Sequence, residues 1–243
     1  MSEFVEYNRD TNPYPSSGKK YNNEKAIISL TSWKARINTV SKTLFSLIKQ
    51  CPGFHIVLVL SEEEFPQKEK ELPENLMVFV ENELIELLWV WKNYKSFKKV
   101  LFTMDKYRDV PVISADDDCI YTCNYAQELY DNLSTSPVSY RYFMQDNIKK
   151  ECRGRVGCAV IFPSYFFGKL GLENLSTPIL ERNQDDPYYE WLAYKFKLPT
   201  VKLLNKLCPC KFENEFNPLR NVYGRNGFDK KTVEIYKKEL NIK

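Results

Sequence analysis

The chain has 243 residues, 43% of them hydrophobic and 14% aromatic, which is enough for one sizeable core and sets a bound of one large domain with appendages. Its 35 basic and 32 acidic residues leave a net charge of +3, which excludes a general polyanion-binding surface, and no nucleic-acid module is legible. No stretch approaches the roughly 18 apolar residues that a membrane-crossing helix needs, and the polar first 23 residues lack the apolar segment of a signal peptide, so a soluble, cytoplasmic protein is expected.

Residues 1–23 contain Asn12-Pro13, Tyr14-Pro15 and Ser16-Ser17-Gly18, turn and linker signals that predict an arm outside the core. Strands and helices alternate after it. Residues 26–30 read as a first strand, and Asn38 can cap a helix in which Val40, Leu44, Leu47 and Ile48 fall at i, i+4, i+7 and i+8. Cys51-Pro52-Gly53 ends that helix, residues 55–60 form a near-continuous apolar strand, and 76–80 read as another. Trp89 and Trp91 fall in a loop-like stretch, with core packing as the default and sugar stacking as the alternative. Tyr94, Phe97, Leu101 and Met104 line a second helix, which leads into a strand over 110–115.

In the second half, 138–143 and 157–162 read as strands separated by the polar segment 145–155. Tyr188, Trp191, Leu192 and Phe196 mark a helix after Pro187, 200–204 a last strand, and 229–240 a lysine-rich helix. Apolar strands alternating with helices predict an α/β fold: a mostly parallel sheet covered on both faces, with a smaller second part. The division expected is an arm (1–23), a ligand-binding half (24–125), a second half of the same domain (126–210) and a basic tail (211–243). The seven cysteines are scattered, Cys208 and Cys210 stand one residue apart, and His55 is the sole histidine. Zinc-finger spacing is therefore absent and reduced, structural thiols are expected. His55 reads as a core or edge residue at the start of its strand.

The strongest chemical signal is Asp116-Asp117-Asp118, directly after the buried run Val112-Ile113-Ser114-Ala115. An acidic cluster ending a parallel strand stands where open α/β sheets keep their ligands. Adjacent carboxylates repel unless they share a cation, and hard oxygen ligands suit Mg²⁺ or Mn²⁺. Along extended chain Asp116 and Asp118 point the same way. The bland alternative, a solvated turn with Asp118 capping the helix near Asn124, needs one carboxylate and leaves two unexplained.

The segments "AIISLTSWKARI", "YKSFKKVLFTMDKY" and "VPVISADDDCIY", and more loosely "GCAVIFP" and "QDDPYYEW", resemble bacterial GT-A fold glycosyltransferases of surface-polysaccharide gene clusters, which carry an Asp-X-Asp signature. The likeness runs from about residue 26 to 200 and implies a metal-dependent transfer of a sugar from a nucleoside-diphosphate donor, UDP favoured. The acceptor implied is a saccharide or lipid-linked saccharide hydroxyl, and the class hexosyl or N-acetylhexosaminyl transfer.

Carried over residue by residue, Thr31, Ser32, Arg36, Lys98, Lys99, Asp116 and Asp117 would bind the nucleotide sugar, and Asp116 and Asp118 the metal. Gly157, Cys158 and Tyr188 would lie along the donor sugar and acceptor, and Asp186, favoured by its place in the motif, or Asp185 would be the base of an inverting reaction. Each has a structural counterpart: an exposed basic residue for Arg36, a solvated helix face for Lys95, Lys98 and Lys99, and a helix cap for Asp186 before Pro187. The family usually has Trp where this chain has Tyr188, and no histidine follows His55 to complete a metal shell.

Two other classes fit the acidic cluster. A nucleotidyltransferase would use the same metal, but such enzymes carry a glycine-rich loop where this chain has Thr31-Ser32-Trp33-Lys34. A Ca²⁺-dependent carbohydrate-binding module would need no base. The lysines Lys230, Lys231, Lys237, Lys238 and Lys243 suggest peripheral contact with an anionic membrane.

Overall fold

Short apolar runs bounded by turn residues become strands, and longer periodic segments become the helices that cover them. The structure, a computed structural model, describes residues 14–139, 159–166, 179, 185–198, 201–203, 210–212, 230–239 and 241. In chain order the first half holds β1 (Ser16–Gly18), β2 (Ala26–Thr31), α1 (Val40–Leu47), β3 (Phe54–Ser61), α2 (Glu74–Glu81), β4 (Glu86–Val90), α3 (Lys98–Lys106), β5 (Val112–Ser114), β6 (Cys119–Tyr121) and α4 (Tyr125–Asp131). The second holds β7 (Val138–Ser139), β8 (Val160–Phe162), α5 (Asp185–Lys195), β9 (Val201–Lys202), β10 (Cys210–Phe212) and α6 (Lys230–Glu239).

Eight of these strands form one sheet in the order β1-β4-β3-β2-β5-β8-β7-β9. The centre, β4-β3-β2-β5, is parallel, and β8 then adds antiparallel to β5. Both faces are buried, as an all-apolar parallel strand requires. Ile28 and Leu30 of β2 face one cluster with Leu44 and Leu47 of α1 and Leu76 of α2, while Ile27 faces the other with Phe97, Leu101 and Phe102. Trp191 and Leu192 of α5 close that second cluster. The chain leaves β2 to β3 on one side and meets β5 on the other, so the strand order reverses between β2 and β5.

Several expectations are corrected. Residues 76–80 are helical, because Leu76, Phe79 and Val80 repeat at i, i+3 and i+4 and present one buried face. The strand read there is instead β4, and Trp89 within it is 1% exposed, while Trp91 packs against the second cluster. Residues 14–23 are not wholly an arm: Tyr14 is buried, and β1 pairs antiparallel with β4 along the sheet edge. Gly18 sits there at φ +83°, where a Cβ would meet the Ile85 carbonyl oxygen at 2.4 Å. Nor is the C-terminal helix a free tail. Tyr236 of α6 is fully buried against Tyr188, and Lys237 Nζ lies 5.3 Å from the Trp191 ring centre, which turns that lysine toward the protein. Among the described residues no helix is long and apolar enough to cross a membrane.

His55 is a core residue. It is 0% exposed, and its Nε2 lies 2.6 Å from Oε2 of Glu86 at the amino end of β4. Lys106 Nζ donates to Glu86 Oε1 at 2.5 Å, and the Tyr107 hydroxyl donates to Oε2. Burial alone would raise the Glu86 carboxyl, but the His55, Lys106 and Tyr107 contacts outweigh it and bring it down to about 2. A depressed carboxyl stabilises the fold above its unfolded value, and that contribution is lost as pH falls through the folded one. Glu86→Gln is therefore expected to cost about 3 kcal/mol near pH 7. Urea denaturation should show the gap to wild type closing as pH drops from 4.5 toward about 2. An equal gap at both ends of that range would reject this account.

Candidate active site at the carboxyl edge of the sheet

Strand-order reversal leaves a crevice outside the carboxyl ends of the two flanking strands, here β2 and β5. The chain leaving β5 enters that crevice as Ala115-Asp116-Asp117-Asp118 and returns as β6, which pairs with β10. The turn is pinned from within, since the Asp116 amide donates to the Tyr121 hydroxyl at 2.8 Å. It is also pinned from α1 and the 3₁₀ turn (Ile48–Gln50) that continues it. Thr43 Oγ1 donates to the Asp117 carbonyl at 3.0 Å, Ser46 Oγ accepts from the Tyr121 amide at 3.1 Å, and Gln50 Nε2 donates to the Thr122 carbonyl at 2.7 Å.

Thr43, Ser46 and Gln50 are all buried and stand at i, i+3 and i+7. Sequence reasoning missed them. The available signal was a polar stripe interleaved with the apolar face of Leu44 and Leu47.

Asp117 turns inward, with its side chain 2% exposed, while Asp116 and Asp118 face the cleft at 27% and 22%. Ser32 Oγ donates to Asp117 Oδ2 at 2.5 Å. Arg36 spans two carboxylates: Nη2 lies 2.5 Å from Asp117 Oδ1 and Nη1 lies 2.6 Å from Asp118 Oδ2. Burial pushes the Asp117 carboxyl up to about 6, against the pull of Arg36 and Ser32 and with the push of its two acidic neighbours. Asp118 is raised as well, by burial first and by Asp116 next.

The lysines are not a solvated face. Ser29 of β2 donates to the Lys99 carbonyl and lies 2.6 Å from Thr103 Oγ1, which seats α3 against the sheet. Lys98 and Lys99 are consequently 1% and 5% exposed. Lys99 Nζ lies 2.8 Å from Asp116 Oδ1 and 3.6 Å from Asp185 Oδ2. Lys98 Nζ instead donates to Glu64 Oε2 at 2.8 Å and Asn93 Oδ1 at 2.7 Å, tying the exits of β3 and β4 together. Burial lowers the Lys98 ammonium, and Glu64 opposes that shift.

Asp185 opens α5 and is 5% exposed, and its Oδ2 has no hydrogen-bond partner. Burying such an oxygen without a donor is costly and marks it for explanation. Of the residues expected at the site, Ser32, Arg36, Lys99, Asp116, Asp117, Asp118 and Asp185 are brought together.

Besides Lys98, which binds Glu64 and Asn93 instead, the others divide into three cases. Thr31 lies beside the cleft, with its hydroxyl donated to the Val59 carbonyl at 2.6 Å. Tyr188 is a correction: its ring is 0% exposed among Phe97, Tyr189 and Tyr236, so it packs the core instead of offering a face to a sugar. Gly157, Cys158 and the Asp186 side chain lie outside the described residues.

Asp116, Asp118 and Cys119 place possible ligand atoms within 4.8 Å of one another. The buried Cys119 thiol is soft and unsuited to a hard cation, so the two carboxylates are the fitting pair. Magnesium-type sites commonly take one or two carboxylates and complete the shell with water and substrate phosphates.

No protein-family model matches the chain, and no curated protein matches it. Solved structures do. Staphylococcus aureus TarS 1–349 superposes with a TM-score of 0.55 at 13% identity, over 88% of this chain and 65% of that one. This chain thus spans about two thirds of that structure. A Bacillus anthracis protein assigned as a glucose-1-phosphate thymidylyltransferase, in complex with sucrose, gives 0.50 at 11% identity, over 86% and 98%. The Streptococcus pneumoniae glycosyltransferase GlyE gives 0.43 at 14%, over 89% and 62%, too loose to define a shared fold. The fold is α/β of the GT-A type, as the sequence predicts.

Thr43→Val combined with Ser46→Ala removes two buried contacts to the aspartate turn. A loss of about 2 to 3 kcal/mol in urea denaturation is expected, because the turn's backbone groups stay buried without partners. A change under about 0.5 kcal/mol would show that α1 does not hold the turn.

Proposed function

We propose that the protein is a metal-dependent, inverting glycosyltransferase that moves a hexosyl or N-acetylhexosaminyl group from a nucleoside-diphosphate donor, UDP first among them. The acceptor in this reading is a hydroxyl of a saccharide or lipid-linked saccharide in surface-polysaccharide synthesis. The observation that carries it is a convergence: Asp116 and Asp118 at the strand-order reversal, and Asp185 approaching them through Lys99.

Mn²⁺ or Mg²⁺ held by Asp116 and Asp118 would neutralise the charge gathering on the departing diphosphate. The chain's own groups do the rest. Asp117 stays inside and fixes Ser32 and Arg36 at the carboxyl end of β2, where the nucleotide would lie. Asp185 Oδ2 takes the acceptor's hydroxyl proton as that oxygen attacks the anomeric carbon, and the bond from that carbon to the diphosphate oxygen breaks. Lys99, 3.6 Å from Asp185 Oδ2 and 2.8 Å from Asp116 Oδ1, would hold that carboxylate beside the metal pair. Asp185, the carboxylate seen beside the cluster, takes the base role here over Asp186.

Nucleotidyl transfer is the second reading, favoured by the likeness to the Bacillus anthracis protein. The absence of glycine in Thr31-Ser32-Trp33-Lys34 favours the first.

Thermal-shift screening of nucleoside diphosphates with and without Mn²⁺ tests the class. One nucleotide should stabilise the protein only with metal, by about 2 to 4 kcal/mol at saturating ligand. Asp116→Asn should abolish that shift. Asp185→Asn should keep it and lose turnover of the matching sugar nucleotide by about a thousandfold or more. Release of pyrophosphate from a nucleoside triphosphate would instead establish nucleotidyl transfer. Undiminished turnover in Asp185→Asn would remove the base assignment.

A further inference from the structure

The candidate metal ligand Asp118 is already occupied by a cation of the protein itself. Arg36 Nη1 sits 2.6 Å from Asp118 Oδ2 while Nη2 sits 2.5 Å from Asp117 Oδ1, so one guanidinium bridges a cleft-facing and an inward-facing carboxylate. The two ends of the bridge are not equivalent. Asp117 is held further by Ser32 and by burial, whereas Asp118 is 22% exposed and close to Asp116. The Arg36 side chain is 11% exposed, and its buried Nε has no hydrogen-bond partner, so the guanidinium has a donor unspent while parked on the carboxylates. Buried Asp185 Oδ2 likewise has only the Lys99 ammonium at 3.6 Å and no hydrogen bond.

A divalent cation and a guanidinium cannot share the same carboxylate face at full strength, because both are positive and both need the same lone pairs. On the reading of this cleft as a site for a metal and a nucleoside diphosphate, we propose that Arg36 is an exchangeable counterion: it holds Asp118 until a divalent cation takes that carboxylate, and then turns its freed arm to the diphosphate while Asp117 keeps the other. No bond to carbon or phosphorus changes in this exchange. It makes metal and diphosphate binding mutually favourable, since each draws Arg36 away from Asp118, and such coupling is reciprocal. It also keeps the carboxylates compensated when the cleft is empty.

The test uses the 243-residue chain as wild type, Arg36→Met and Arg36→Lys. Affinity for Mn²⁺ alone is read from the electron paramagnetic resonance signal of free Mn²⁺. Affinity for UDP is read by calorimetry at saturating Mn²⁺, and circular dichroism checks the fold. Losing the competitor should make Arg36→Met bind Mn²⁺ tighter by on the order of tenfold and UDP weaker by a similar factor. Arg36→Lys keeps the charge but is a point donor that cannot span both carboxylates. It should show the same crossed pattern at smaller size, and it carries the test if the methionine variant does not fold. A purely structural Arg36 would weaken both ligands or neither, and either result overturns the exchange. Wild type that binds Mn²⁺ but no nucleoside diphosphate overturns the transferase reading, while the manganese comparison alone still decides whether Arg36 competes for Asp118. Absence of Mn²⁺ binding at millimolar concentration in all three proteins rejects both.

Discussion

The structure depends on keeping three consecutive carboxylates together at the rim of a parallel sheet. Asp116 and Asp118, with carboxylate oxygens within 4.8 Å of each other, repel by roughly 3 kcal/mol at an effective dielectric of about 20, and Asp117 stands between them in sequence. Relaxing the chain would relieve that, and the fold prevents it. Thr43, Ser46 and Gln50 hold the backbone of the turn and its return strand, so the carboxylates cannot drift apart. Arg36 and Lys99 supply the compensation from opposite sides, one from the loop after β2 and one from α3. Asp117 shows what remains: even with Arg36 and Ser32 beside it, burial leaves its carboxyl at about 6.

Two adjacent lysines illustrate how the sheet converts sequence into position. Successive helical residues are rotated by roughly 100°, so Lys98 and Lys99 cannot point to one partner. Ser29 fixes the rotation of α3 by bonding to its Lys99 and Thr103. Lys98 then falls beneath Glu64 and Asn93, where it binds the loops leaving β3 and β4 into one wall of the cleft. Lys99 falls beside Asp116 and Asp185 and joins the two halves of the chain. A rigid wall and a charged bridge come from one dipeptide, set by one buried serine.

Long features were legible and short or paired ones were not. The strands at 26–30 and 55–60, the acidic rim after 110–115 and the core placement of His55 followed from unbroken apolar runs and a single polar break. The run at 76–80 misled because five apolar residues fit a strand or the buried face of a two-turn helix equally well. Glu86 hid β4, since a charged residue at a strand's start looks like loop until its partners, His55 and Lys106, are seen in space. Lys98 and Lys99 misled for a related reason: burial of a charged side chain depends on contacts distant in sequence, and helical spacing alone makes such residues look exposed. Tyr188 differs, because its spacing with Trp191 and Leu192 marked an apolar face and only the family resemblance set it against a sugar.

The two edges of the sheet also differ in how completely their charges are answered. At the amino edge Glu86 receives His55, Lys106 and Tyr107 together, and its carboxyl drops to about 2, the mark of a group built to stay ionised and buried. At the carboxyl edge the opposite holds. Asp117 and Asp118 are raised, Asp185 Oδ2 and Arg36 Nε lack hydrogen-bond partners, and Lys99 reaches Asp185 only at 3.6 Å. The contrast is one of charge: His55 Nδ1 also lacks a hydrogen-bond partner, but the Glu86 carboxylate beside it is answered by three groups. Raised, loosely compensated carboxylates at the edge where parallel sheets bind ligands fit a site whose remaining partners arrive from solution.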